Sequence, residues 1–437
     1  MSRPLRGGGL RSGAREKSRK SEEKPGWRFR AAAPLDLERL LEIHHAAYPD
    51  PLSVQARLRN FTHNPFGGFE YLIVVEDRSG IVGHAFLFPL RAWFGGRAVK
   101  VGAIASVGVA PEARGRGTAT ALMNHLHHVS DRRGDALTML YAFRQGYYAR
   151  LDYATTSSRK RLAIDTRSVP SSWRDLARSR VRALGADEGV ALRRLHARAA
   201  EKSSGWIERP KRLWETLFAR EQRMILLCEN PSARRGKKPD LTGYVAFNLV
   251  QERANAETVI EVDELVADDA PSRRALLGGL SAMRDQATEI VLEVADGDPL
   301  ERALVDADGR RFGTESVAHS LGEIVAGPMV RIENVARALS ARGYLDRGSF
   351  DLAVRSSVDG EPDMKLSVVV RDGRAKVAPP QGGACLRTSR AGLAAIFYGA
   401  LSVTDAVALG MAEAEPGLMS RIDAIARIPP LTPMDAF

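Results

Sequence analysis

The chain has 437 residues, 44% hydrophobic and 27% charged. That is enough for roughly three domains and a sizeable core, and it excludes a largely disordered protein. No 18-residue run is free of charge and no apolar run near the N-terminus reads as a secretory signal, so neither a transmembrane helix nor export is expected. Of the net charge of +11, residues 1–26 carry +5 (eight Lys/Arg against three Glu), which leaves +6 for the other 411 residues.

Residues 1–26, with Gly7-Gly8-Gly9 and a Ser/Lys/Arg/Glu mix, read as a disordered basic tail. Such charge can touch nucleic acid or acidic lipid, but no stacking-aromatic or groove-reading motif accompanies it. Trp27 to Ala33 reads as a short strand and Pro34 to Tyr48 as a helix with Leu37, Leu40, Leu41 and Ala47 roughly on one face, stopped by Pro49-Asp50-Pro51. Three strands follow: Tyr71 to Glu76, Ile81 to Phe88 with a continuation to Phe94, and, across a Gly95-Gly96 hairpin turn, Ala98 to Val109. An amphipathic helix then runs to about Arg133, is ended by Gly134, and gives way to a strand from Ala136 to Phe143.

The same order returns about 160 residues later. Met224–Cys228, Leu241–Phe247 and Thr258–Val266 read as strands, Pro271–Gln286 as a helix and Glu289–Val294 as a strand. A period that long means two domains rather than a solenoid. The last 110 residues break the pattern. Leu352–Val358, Met364–Val370 and Arg374–Ala378 are strands joined by turns at Gly360 and Asp372-Gly373; Ser389–Phe397, Val403–Leu409 and Pro416–Ala426 are helices. The final segment, Ile428 to Phe437, is too Pro-rich for a helix. Cys228 and Cys385 form neither a metal-ligand spacing nor a disulfide framework, which fits a reducing cytoplasm.

The sharpest chemical signal is Val107-Gly-Val-Ala-Pro-Glu-Ala-Arg-Gly-Arg-Gly-Thr-Ala119. A strand enters a tight basic glycine loop that opens a helix, where successive backbone N–H groups can cradle a pyrophosphate. Gly115 and Gly117 let the backbone approach, and Arg114 and Arg116 add positive charge. Taken alone, an ordinary strand–loop–helix with exposed arginines would look similar.

In context, Arg114-Gly-Arg-Gly-Thr-Ala119 resembles the Arg/Gln-x-x-Gly-x-Gly/Ala loop of the GNAT acyltransferases, and Tyr148-Ala-Arg-Leu-Asp-Tyr153 resembles the Tyr-x-x-x-Gly-Phe end of their domain. The ordered set is similar to the Eis (enhanced intracellular survival) acetyltransferases over residues 27–437: a GNAT domain, a degenerate GNAT copy and a sterol-carrier-like module. Arg337 to Tyr344 and Gly392 to Ser402 resemble that last module, and the chain ends on an aromatic residue. The resemblance implies an α/β and α+β protein. Residues 27–165 would be a catalytic GNAT domain, 166–326 a degenerate GNAT-like domain and 327–437 a sterol-carrier-protein-like α+β domain. The sequence departs from the pattern at Phe143, Asp152, Ala105 and Ser106, which border the acceptor side.

The activity so implied is cytoplasmic, acetyl-CoA-dependent N-acetylation of a cationic acceptor (aminoglycoside-like, polyamine or lysine) by direct attack of its primary amine, in a homo-hexamer without metal, nucleic-acid or membrane partner. Val107, Gly108 and Val109 would hold the pantetheine arm and polarise the thioester carbonyl. Arg114, Gly115, Arg116, Gly117, Thr118 and Ala119 would hold the pyrophosphate, and Tyr148 would protonate the leaving thiolate. The resemblance also implies that the α-carboxylate of Phe437 enters the first domain's site as the base, with its ring as anchor; a frayed terminus is the alternative. Asp50 could hold a cationic acceptor, or simply form the turn between its two prolines. His125, His127 and His128 read as solvated helix residues rather than ligands, and His44 and His45 as surface or packing residues. In the second copy, Glu264 to Ala275 stands where the phosphate loop belongs. It has no glycine, and Asp268-Asp269 would repel a pyrophosphate. Two rivals stay open: a non-catalytic lipid-binding or assembly protein built on the C-terminal module, and a GNAT enzyme using a longer acyl-CoA.

Overall fold

The computed structural model describes residues 26–49, 53–185, 187–219, 223–230, 240–251, 257–304, 321–355, 363–399, 401–429, 435 and 437. The basic tail up to residue 25, Asp50 and the expected turn at Gly360 lie outside the described residues.

The first part runs β1 (Arg28–Ala31), α1 (Leu37–Ala47), α2 (Val54–Thr62), β2 (Leu72–Asp77), β3 (Gly80–Phe94), β4 (Arg97–Val109), α3 (Thr118–Arg133), β5 (Leu137–Leu140), α4 (Gln145–Ala149) and β6 (Ala154–Thr155). The sequence pattern anticipates every major strand here but not α2, whose start is marked by Ser53: its hydroxyl accepts from Ala56 N at 3.1 Å. α3 ends where expected, on Gly134 in the left-handed conformation at φ +83°. β3 is apolar on both faces because both are covered. Leu122, Met123 and Leu126 of α3 pack on one side, while Phe86, Phe88 and Phe94 join the core of the C-terminal module on the other.

The second part runs β7 (Ser158–Asp165), α5 (Ser171–Arg180), β8 (Val181–Ala183), α6 (Gly189–Lys202), α7 (Lys211–Phe218), β9 (Met224–Glu229), β10 (Leu241–Val250), β11 (Val259–Ala267), α8 (Ala270–Ser281), β12 (Glu289–Ala295) and β13 (Gly322–Ala326). The third runs β14 (Met329–Ile332), α9 (Val335–Ala341), β15 (Gly348–Arg355), β16 (Met364–Arg371), β17 (Arg374–Ala378), β18 (Cys385–Ser389), α10 (Arg390–Tyr398), α11 (Val403–Ala408), β19 (Ala412–Glu413) and α12 (Pro416–Ala426).

Sheet order extends the duplication. The first sheet reads β1-β2-β3-β4-β5-β14-β6 and the second β8-β9-β10-β11-β12-β7-β13. Each copy takes its sixth strand from outside itself: β14, which follows the second copy, lies antiparallel to β5, and β7, which follows the first, lies antiparallel to β12. The sheets therefore do not divide at residues 165 and 326. Ser158–Asp165 belongs to the second sheet and Met329–Ile332 to the first. Sequence periodicity shows that a segment is a strand but not which ladder receives it.

The third sheet, β17-β16-β15-β18-β19, is an α+β unit with β15 and β18 parallel. Its interior is filled by Leu352, Val368, Leu393, Phe397 and Tyr398, and Tyr398 meets Phe94 of β3 edge-on at 4.9 Å. First and third domains thus share one hydrophobic core.

Candidate active site

The glycine loop has the geometry its residue types require. After β4, a 3-10 turn at Pro111–Ala113 leads to Gly115 at φ +75° and Gly117 at φ +84°, conformations that L side chains rarely adopt. Gly117 is the N-cap of α3 and offers no side-chain acceptor, so the first-turn N–H groups, from Thr118 onward, are left without an intrahelical acceptor. The Thr118 hydroxyl donates to Ala113 O at 3.0 Å and closes the loop. A Cβ at Gly115 would meet nothing within 4 Å, so the loop faces open space. Arg114 turns away: it donates to Val109 O at 3.3 Å and Ala46 O at 2.9 Å, capping the end of α1. Arg116 stays exposed.

The same position in the second copy is closed. Asp269 is the N-cap of α8 and accepts from Ser272 N at 2.7 Å, while Asp268 pairs with Arg198 at 2.8 Å. A carboxylate already occupies the mouth of this helix and takes one of the N–H groups that a phosphate would use.

β4 and β5 pair in parallel only at Val101–Ala103 against Leu137–Met139 and then part. Beyond the split, β4 is bulged against β3, and Ser106 takes φ +49°. Tyr48 spans the gap, donating its hydroxyl to Val107 O at 3.2 Å; burial raises this phenol to about 12 despite that bond. Tyr148, on α4, is 5% exposed and packs edge-on against Tyr147 at 4.9 Å and Tyr153 at 5.9 Å. Burial, and then the neighbouring phenols of Tyr48 and Tyr147, push its pKa up, so it keeps its proton.

A cavity of about 900 Å³ opens beside this split, between the helices of the first domain and α7 of the second. Its described wall includes His44, Tyr48, Arg59, Asn60, Ser106 and Tyr141, with Thr216 from α7, and it carries no Asp or Glu. Asn60 Nδ2 donates to Ser106 Oγ at 3.0 Å, which tethers the unread helix α2 to the bulge. The chain end reaches the same wall. Tyr141 donates to Asp435 O at 3.1 Å and packs on the Phe437 ring at 5.5 Å, and Phe66 meets that ring at 6.4 Å.

Other sequence expectations fare differently. His127 is buried, not solvated, and bonds Tyr153 Oη at 3.0 Å; His125 stacks on Phe29 at 4.2 Å. His44 is buried and lies 3.0 Å from the Arg57 guanidinium. Asp152, one of the departures from the family pattern, takes φ +63° in the turn after α4 and interacts electrostatically with Arg390 of the third domain. Phe143 is 71% exposed. Tyr48, Tyr141, Arg209 and Asp435 went unread, because none belongs to a local motif. Among the described residues no group of three or more His, Cys, Asp or Glu is placed to hold a metal ion, and no helix is long and apolar enough to cross a membrane.

Residues 28–156 match one acetyltransferase (GNAT) domain family, and residues 205–332 match a second, also described as an acetyltransferase (GNAT) domain. The chain is a GNAT N-acetyltransferase with two GNAT domains in tandem. No curated protein sequence matches it. Among solved structures it is similar to a GCN5-related N-acetyltransferase from Anabaena variabilis (20% identity, TM-score 0.77, 94% of this chain and 100% of that one). It is also similar to a GCN5-related N-acetyltransferase from Kribbella flavida (23%, 0.75, 95% and 99%) and to Eis1 from Mycobacterium abscessus (21%, 0.72, 94% and 100%). Its three-part architecture is Eis-like.

Proposed function

We propose that the first domain transfers acetyl from acetyl-CoA directly to a primary amine. The observation that carries this reading is the contrast between two corresponding helix N-termini: α3 begins on Gly117, which has no side-chain cap, beside Gly115 in open space, and α8 begins on its own aspartate. Acetyl-CoA supplies the activated acyl group; the chain's residues do the rest. First-turn N–H groups of α3, from Thr118, hold the pyrophosphate together with Gly115, Arg116 and Gly117. Backbone groups at Val107–Val109, where β4 has left β5, hold the pantetheine arm and polarise the thioester carbonyl. The α-carboxylate of Phe437 takes the proton from the incoming ammonium, and Tyr148 gives its proton to the departing sulfur. A phenol and a thiol titrate near 10 and 8.5 in water. Burial keeps the Tyr148 phenol protonated, so a proton is in place for the thiolate as it forms.

The resemblance to Eis enzymes favours a polyamine, aminoglycoside-like or lysine acceptor and a cytoplasmic hexamer. A second acceptor class is favoured by the cavity itself. Arg59 and His63 lie on its wall and no carboxylate does among the described lining residues, which suits an amine that also bears an anionic group. A CoA-release assay over polyamines, aminoglycosides, lysine peptides and carboxylated amines, run with acetyl-CoA and longer acyl-CoAs, tests the reading and separates these classes. Absence of amine-dependent release throughout the panel, with acetyl-CoA still bound, would favour the non-catalytic alternative.

A further inference from the structure

We propose that Arg209 and Asp435 are positioning residues: their buried ion pair docks the chain end into the first domain's cleft and so sets the place of the Phe437 carboxylate. This rests on the reading of that carboxylate as the base.

The backbone alone pins Arg209. The segment leading to it lies along β3 of the first domain: Gly205 N donates to Trp93 O, Trp93 N to Trp206 O and Glu208 N to Arg91 O, each at 2.8 Å. Pro210 then caps α7. The guanidinium lies over the Trp214 ring at 4.7 Å. Its Nε donates to both oxygens of Asp435, at 2.9 and 3.0 Å, and its other arm grips Glu264, which also accepts from Tyr244 Oη at 3.0 Å. The side chains of Arg209, Glu264 and Asp435 are 2%, 6% and 7% exposed. Asp435 O is in turn held by Tyr141 of the first domain, two residues before the terminal ring that packs on Tyr141. All three domains meet at this point.

Glu264 alone would neutralise Arg209. The second carboxylate leaves the triad with net negative charge and adds the cost of removing another charge from water. Burial accordingly holds the Asp435 carboxyl above its ordinary range, against the pull of Arg209. A buried ion pair is a poor source of stability compared with apolar packing, and its best-attested use is to fix one arrangement against others. Here what is fixed is Asp435 and, through Tyr141, the Phe437 ring. A plain apolar end could slide within the Phe66–Tyr141 slot, whereas a carboxylate held through both oxygens by a pinned arginine cannot.

Asp435→Asn keeps the shape and removes the charge, and Arg209→Met removes the partner. Both should leave acetyl-CoA affinity unchanged, lower kcat by roughly 10²-fold as expected for a displaced reacting group, and speed release of Phe437 by a carboxypeptidase. Combining Asp435→Asn with a C-terminal hexahistidine extension should cost no more than the extension alone, because both act through one carboxylate. If the extension abolishes turnover while Asp435→Asn keeps wild-type kcat and Phe437 protection, the docking role is wrong and the chain-end base stands. If the extension is harmless, the chain-end base is wrong and the pair has nothing catalytic to position. Should Arg209→Met fail to fold, Asp435→Asn decides alone, since it leaves Arg209 paired with Glu264.

Discussion

Replacing Gly117 by aspartate would give the first domain the cap that Asp269 gives the second. Gly117 sits at φ +84°, which costs an ordinary L residue about 1–2 kcal/mol, although Asp is among the residues that visit this region. Space is available: a Cβ there would come no closer than 3.6 Å, to the Trp27 ring. The fold should survive, and a carboxylate would stand at the start of α3, though on a left-handed backbone rather than the extended one from which Asp269 accepts from Ser272 N at 2.7 Å. It would then face the pyrophosphate. One pair of like unit charges about 5 Å apart at an effective dielectric of 20 repels by about 3 kcal/mol. That alone is a loss of about 10²-fold in acetyl-CoA affinity. Isothermal titration of acetyl-CoA reads it directly, with Gly117→Ala as the control that carries the strain without the charge. Asp269→Ala should leave binding unchanged. Wild-type affinity in Gly117→Asp, or an equal loss in Gly117→Ala, would refute the assignment of the pyrophosphate to this helix end.

Tyr148→Phe should lower kcat by about 10²-fold with acetyl-CoA affinity retained, and near-normal turnover would mean that another group protonates the thiolate. Because burial raises the Tyr148 pKa above that of a free phenol, the wild-type rate should show no loss from this group up to about pH 10. Deleting Phe437 should cost about 10²-fold in turnover while an N-terminal tag costs nothing; equal rates for all three proteins would remove the chain end from the mechanism. Burial pushes His84, His127 and His196 down to about 3, well below 6.5 for the unfolded chain. Their neutral burial therefore favours folding above pH 6.5, and the advantage is lost as pH falls toward 3, by about 2 kcal/mol each at pH 5. Urea midpoints at pH 7 and 5 measure this. His127→Gln should flatten the dependence, and a midpoint independent of pH would contradict it.

Much of the fold was legible because its signals are local. Gly134 marks the end of α3, Asp372-Gly373 the β16–β17 turn, and the apolar run of β3 a strand. Helices α2, α5, α6 and α7 were missed because they lie between strands whose period dominated the reading, although Ser53 does announce α2. Neither β7 nor β14 stands out as a strand in the sequence, and a strand's own pattern would be the same in either sheet, so their exchange is not legible locally. Among the candidate site residues, the glycine loop and Tyr148 lie in contiguous motifs. Tyr48, Tyr141, Arg209 and Asp435 come from three domains, and what assembles them is the packing of the first sheet's core onto the third and of segment 205–209 along β3. His127 was misread as solvated because its helix is only weakly amphipathic and the Tyr153 hydroxyl that receives it lies 26 residues away.

Direct transfer at a single site is tested most squarely by a rapid-quench single turnover with radiolabelled acetyl-CoA and an amine identified by the release assay. The account predicts that label passes from CoA to the amine with none bound to protein, and that Gly117→Asp abolishes the transfer while Asp269→Ala does not. Label accumulating on the protein before it reaches the amine, or transfer that survives Gly117→Asp and fails in Asp269→Ala, would contradict it.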